Sequence, residues 1–179
     1  MRTRFSAADG AALLFILIML ILEKFAAANA IASEKLLLNF EARCKCRLRT
    51  RTTAGEDVGL LVARGGVLRD GDKLLAQDGR IVEIIAAPEF LMAARSSDPL
   101  LLARAAYHLG NRHVAVQIGE GWLRFASDHV LRDMLLGLGL VVSEMTAPFS
   151  PESGAYGHGH THGGETKLNA KLHLYRGAA

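Results

Sequence analysis

Residues 98–145 read DPLLLARAAYHLGNRHVAVQIGEGWLRFASDHVLRDMLLGLGLVVSEM, and their periodicities decide the fold. Asp98 followed by Pro99 is a helix start: a carboxylate accepts from the unpaired N–H groups of a first turn, and proline at the first helical position gives up an N–H that has no partner there. Leu102, Ala105, Ala106 and Leu109 then recur on one helical face, and Gly110 ends the helix. Val114, Val116 and Ile118 alternate as a strand, Gly119-Glu120-Gly121 turns the chain, and Leu123 and Phe125 continue an antiparallel partner, which predicts a hairpin. Ser127 or Asp128 caps a second helix with Val130, Leu131, Met134, Leu135 and Leu138 on its buried side. Gly137 and Gly139 mark its end, and residues 141–145 return as a strand. With a first strand near residues 89–94 the order is βαββαβ, the ferredoxin-like split.

Upstream the period changes to two. In residues 41–51, Arg43, Lys45, Arg47, Arg49 and Arg51 fall on one face of an expected strand, with Cys44, Cys46, Leu48 and Thr50 on the other. The basic face is expected to meet solvent and the cysteines to pack inward as small hydrophobes. Shorter strands are expected at residues 58–63, 73–76 and 81–85, the last two joined by an Asp78-Gly79 hairpin turn. The class is therefore α+β. An apolar N-terminal extension (1–34) precedes an all-β domain (35–86), a ferredoxin-like domain (87–152) and a flexible histidine-containing tail (153–179).

The 179 residues are half apolar, enough to bury a core, and the formal charge of +3 comes partly from the basic cluster just described. That charge does not call for nucleic acid, and the aromatic pair expected on an RNA-stacking sheet is missing. The only cysteines, Cys44 and Cys46, are too close in sequence for an unstrained bridge, which fits a reducing compartment. At the N-terminus, Arg2 and Arg4 precede the apolar run of residues 11–22 and then small residues, a pattern with three readings. They are a secretory signal, a membrane or packing helix, and an upstream extension from a misassigned start; at twelve residues the run is short for a bilayer.

Chemistry concentrates in histidine. His158, His160 and His162 alternate in a glycine-rich stretch, so an extended backbone points three imidazoles one way, toward one ion. Imidazole suits Ni, Cu, Zn and Fe without choosing among them. His113 follows the Gly110-Asn111-Arg112 turn, where it is expected to begin a strand and project outward. Near a two-fold axis such a residue meets its own copy, so two chains supply two ligands. His129 opens the second helix, where a neutral imidazole is favoured. His108 falls in the last turn of the first helix, where a structural role fits the helix dipole. No HExxH, GxSxG, CxxC or P-loop pattern occurs, the carboxylates are dispersed, and no catalytic constellation is present.

The segment YHLGNRHV (107–114), with Asp128-His129-Val130-Leu131, Asp133-Met134-Leu135, Gly137-Leu138-Gly139, Ala147-Pro148-Phe149 and Gly154-Ala155-Tyr156, resembles the UreE family of urease accessory proteins, which are nickel metallochaperones. Val67 to Asp72 (VLRDGD) and Val82 to Glu89 (VEIIAAPE) fit the same family's N-terminal β domain, so the resemblance covers roughly residues 35–162. It leaves the first thirty-odd residues unmatched, which favours the misassigned start.

The resemblance implies a cytoplasmic homodimer, not an enzyme, that carries Ni(II) as cargo and hands it, with the urease accessory GTPase, to apo-urease. No nucleic acid and no membrane are implied as partners. It makes His113, the second histidine of HLGNRH, the ligand at the dimer interface, and leaves His108 out. Where some members carry HxH at the start of the second helix, this chain has Ser127-Asp128-His129, so a peripheral site at His129 lacks one partner. The tail has only His173 after His162, which implies little capacity for nickel storage. Zn(II) and Cu(II) are the competitors to expect, and the alternative reading is an exported or general transition-metal-binding protein.

Overall fold

The computed structural model describes residues 19–63 and 66–153. Two sheets follow one another along the chain. The first has six strands in the order β2-β6-β5-β1-β4-β3: β1 (Leu20–Phe25), β2 (Glu34–Leu38), β3 (Arg47–Arg51), β4 (Asp57–Leu61), β5 (Lys73–Ala76) and β6 (Ile81–Ala86). The hairpins β3–β4 and β5–β6 are antiparallel, and β1 joins them, parallel to β4 through Leu20–Val58 and antiparallel to β5. Its buried face comes from alternate positions: Leu22, Leu36, Val58, Leu60, Leu74, Val82 and Ile84 form one cluster.

β1 lies inside the stretch expected to be an apolar extension. Leu20 and Leu22 are core residues and β1 sits between β5 and β4, so the β domain starts before residue 35. The C-terminal part of the apolar run is hydrophobic because it is a central strand. Residues 1–18 lie outside the described residues.

The expected strand over residues 41–51 divides in two. Phe40–Arg43 form a single helical turn, α1, because Asn39 caps it, its Oδ1 accepting from the Ala42 N–H at 2.9 Å. Only from Arg47 does the alternation hold, with Arg47, Arg49 and Arg51 exposed and Leu48 and Thr50 half-buried. Arg43, expected in solvent, is buried, and Cys44, expected inside, is exposed. A capped turn reorients those side chains, and charge alternation alone does not distinguish it from a strand.

Arg80 ties the two hairpins together. Its guanidinium donates twice to Glu56, at 2.7 and 2.6 Å, and once to Asp78 at 2.7 Å. Glu56 and Asp78 are held below the usual carboxylate range, chiefly by hydrogen bonds from Arg80. A depressed folded-state value means the unfolded chain binds more protons, so this contribution is present above the ordinary carboxylate pKa and is lost as pH falls through the folded values. Because the groups are at the surface, the effect is small. Arg80→Gln is expected to flatten the fall in stability below about pH 5, measured by urea unfolding across pH; an unchanged slope contradicts the assignment.

The second sheet has the order β10-β7-β9-β8, all antiparallel, built from β7 (Pro88–Arg95), β8 (Gln117–Gly119), β9 (Trp122–Ala126) and β10 (Val141–Pro148). In order of appearance these strands lie 4-1-3-2, the ferredoxin-like arrangement expected. Helices α2 (Pro99–Gly110) and α3 (His129–Gly137) lay Ala105, Leu109, Leu131 and Leu135 on Met92, Ala94, Leu123 and Phe125 of the sheet. Asp98 and Asp128 cap them as anticipated, accepting from Leu100 N–H at 2.9 Å and from Val130 and Leu131 N–H at 2.8 and 3.0 Å. Pairing in β8 starts at Gln117, later than the expected strand from Val114. The Val114 N–H is already used by the Leu109 carbonyl at the end of α2, and the Val116 carbonyl accepts from Glu152 N–H. One main-chain group of each is thus engaged outside the sheet.

Candidate metal centre

His113 owes its position to the way α2 ends. The helix closes with a pair of reverse hydrogen bonds, Val114 N–H to Leu109 O at 3.2 Å and His113 N–H to Gly110 O at 2.9 Å. This is a Schellman closure, which requires its penultimate residue to be left-handed. That residue is His113, at φ +55°, the one non-glycine with positive φ among the described residues. The closure is sealed by Val114 packing on the core that holds Leu109, and by Arg112 Nη1 donating to His108 O at 3.0 Å. His113 itself is exposed.

Helix α3 makes the comparison within the same domain. It closes with the same pair, Leu140 N–H to Leu135 O at 3.1 Å and Gly139 N–H to Leu136 O at 2.9 Å. There the left-handed residue is Gly139, at φ +98°. Glycine takes that conformation freely, whereas a side chain costs about 1 kcal/mol. The two halves of the domain thus solve one backbone problem twice, once with the easy residue and once with a histidine presented to solvent. Strain kept at an exposed imidazole points to a use for the imidazole. His113 was expected to begin a strand; it lies instead in a left-handed turn before pairing starts at Gln117, and it is exposed.

The other candidates are placed as follows. His129 is the first residue of α3, next to its Asp128 cap, and is exposed. His108 is half-buried, its ring edge-on to Tyr107 at 5.4 Å between centroids. His158, His160 and His162 lie outside the described residues. Among the described residues no three His, Cys, Asp or Glu side chains form a group able to hold a metal, so His129 is not brought to His113 with a third donor. Cys44 and Cys46 are both free thiols, and partial burial pushes the Cys44 thiol up, opposed by Arg43, which works against the thiolate that a metal needs.

The stretch after β10 returns to the His113 loop. Glu152 N–H donates to Val116 O at 2.8 Å and Ser150 N–H to Gln117 Oε1 at 3.3 Å. The chain that leads on to the tail histidines therefore starts three residues from His113 in the loop it touches.

Two family models divide the chain: the UreE urease accessory protein N-terminal domain over residues 21–87 and the C-terminal domain over residues 89–174. The chain belongs to the UreE urease accessory protein family. A urease accessory protein UreE of Burkholderia vietnamiensis is 55% identical over 140 residues, which cover 78% of this chain and 70% of that one. The UreE of Azotobacter vinelandii is 52% identical over 162 residues, 88% of this chain and 98% of its own. The UreE N-terminal domain begins at residue 21, so the family likeness reaches earlier than the motifs from residue 35 indicated, and it takes in β1. Family membership makes this an accessory protein of urease maturation. No helix among the described residues is long and apolar enough to cross a membrane.

Proposed function

We propose that this chain is a nickel metallochaperone that carries Ni(II) to apo-urease and performs no catalysis itself. The observation that carries the reading is His113, a strained left-handed histidine where its counterpart in α3 is a glycine. In a homodimer whose two-fold axis passes near this loop, two His113 side chains give two imidazole ligands from rigid helix ends. His158, His160 and His162 of the tails complete the coordination. Chain length allows this. From Glu152 to His158 an extended chain reaches about 20 Å, while Val116 and His113 are at most about 10 Å apart along the backbone. His129 is the weaker candidate, a peripheral ligand with one partner where an HxH would give two.

A site of this build binds and releases. The His113 pair is fixed, and the tail ligands leave one at a time, opening positions through which nickel passes to the next protein by ligand exchange. The receivers are the urease accessory GTPase and the apo-urease complex, and the compartment is the cytoplasm. Neutral imidazole is the ligand form, so protons compete with the metal. Zn(II) and Cu(II) compete by affinity, and nickel is selected by geometry and supply.

Deleting the chain after Gly157 tests the division of labour. The shortened dimer is expected to keep one nickel ion with affinity lowered by roughly tenfold to a hundredfold, in the range seen when a metal site loses supporting groups. Calorimetric titration measures it, and a dimer that loses nickel altogether places the main ligands in the tail and not at His113.

A further inference from the structure

The helices cover one face of the second sheet, through Met92, Ala94, Leu123 and Phe125. The register puts another set of side chains on the opposite face: Arg95 stands across from Trp122, Trp122 across from Gly119, and Ala93 between Arg124 and Ser143. Leu91 and Ala93 are buried on that face, so its open part lies toward the Gly119-Glu120-Gly121 turn, where Arg95 and Ser143 are exposed and Trp122 and Arg124 half-buried. Trp122 is fitted to this place. A Cβ at Gly119 would fall 2.1 Å from two carbons of the indole, so glycine is what admits the ring. The Arg124 guanidinium carbon lies over the same ring, 4.1 Å from its centroid. Stacking holds a guanidinium by its flat side and leaves its edge to donate.

That edge has no acceptor among the described residues. Arg124 Nε is shut off from solvent and unpaired, and no carboxylate lies at ion-pair distance of its terminal nitrogens. Arg95 gives Nη1 to Ser143 Oγ at 3.3 Å and likewise meets no carboxylate there. The two arginines are diagonal neighbours on adjacent strands, roughly 7–8 Å apart. We propose that this face docks an acidic protein segment, one carboxylate meeting the terminal nitrogens of Arg124 end-on and the next reaching Arg95. In an extended chain alternate side chains point one way about 7 Å apart, which matches the two guanidiniums. Acidic residues at alternate positions are therefore the pattern that fits. Val141, 71% exposed and opposite Arg95, supplies apolar contact beside them. A nucleic acid fits less well: its phosphates suit the arginines, but an indole already stacked by a guanidinium is no free platform for a base.

Trp122 is the single tryptophan of the chain, so its fluorescence reports on this face. The full chain, free of metal so that the outcome is independent of the nickel reading, is titrated with a labelled peptide of alternating Glu and Gly and with its Gln and Gly counterpart. The Glu peptide alone is expected to change Trp122 emission saturably. Its affinity, followed by anisotropy of the label, is expected to fall about tenfold with Arg124→Gln, as a charge-assisted pair is lost, and about threefold with Arg95→Gln. Arg124→Lys keeps the charge but neither the stack nor the fork, and is expected to bind nearly as weakly as Arg124→Gln. Arg47→Gln combined with Arg51→Gln, which removes two exposed charges from β3, is expected to leave the affinity unchanged. No binding of the Glu peptide up to about 1 mM overturns the proposal. So does a loss in the β3 variant as large as that of Arg124→Gln, which means that net charge alone draws the peptide. A single strand of oligodeoxythymidine bound more tightly than the peptide makes this a nucleic-acid surface and overturns it equally. If Arg124→Gln does not fold, the losses stated for Arg95→Gln and Arg124→Lys are required in its place.

Discussion

Replacing His113 by glycine is expected to remove tight nickel binding while leaving the protein as stable as before or more so. Both halves follow from one torsion angle. At φ +55° the histidine Cβ is strained against the backbone. Glycine relieves about 1 kcal/mol of that strain, and its larger unfolded-state entropy takes back part of the gain. The Schellman hydrogen bonds from Val114 and His113 are main-chain and survive the change. In the dimer, however, the substitution deletes two ligands at once, and nickel affinity falls by at least about a hundredfold. His113→Ala loses the metal equally but keeps the strained Cβ, so it is expected to show no gain in stability. Thermal unfolding and calorimetric nickel titration of the three proteins check this. A glycine variant that is destabilised by several kcal/mol contradicts the strain account, and one that keeps nickel contradicts the site.

The second large effect lies in β1. Leu22→Ala is expected to destabilise the β domain by about 3 kcal/mol, the usual cost of a cavity at a fully buried leucine. Leu22 has no exposed surface and pairs with Leu60 on one side and Ala76 on the other. If the N-terminal run were an appendage to the fold, the same substitution would be close to neutral. Urea unfolding distinguishes the two outcomes, and a change under about 0.5 kcal/mol removes β1 from the core.

Most of the ferredoxin-like domain was legible in the sequence because its signals are local. Asp98-Pro99 and Asp128 cap helices through side chains two or three residues away, and the apolar positions repeat at helical or strand spacing. What was misread depends on bonds made at a distance. Val114 and Val116 alternate like a strand, but the Val114 N–H bonds Leu109 and the Val116 carbonyl bonds Glu152, from a segment far along the chain. Arg43 fits a basic alternation, but it is buried with hydrogen bonds to Leu68 and Phe149, both distant in sequence. The local signal for α1 was Asn39, a capping residue ahead of Phe40-Glu41-Ala42, outweighed by the run of charges. β1 was hidden because an apolar run buried in a sheet looks like an apolar leader when its partners are not in view.

The candidate site was partly legible. The HLGNRH motif singles out His113, but the left-handed turn is not visible in the motif. Gly110 is the obvious helix stop, and the chain continues past it to turn at a histidine. That geometry gives a physical reason for the residue independent of family likeness. A glycine suffices for the turn, as Gly139 demonstrates in α3.

Native mass spectrometry of the full chain with nickel, run beside the His113→Gly variant, tests the central claim most directly. The account predicts a dimer of the unaltered chain holding one tightly bound ion shared by both subunits, and a His113→Gly dimer of the same mass without it. One ion on each isolated monomer, or the same ion retained by the glycine variant, contradicts it.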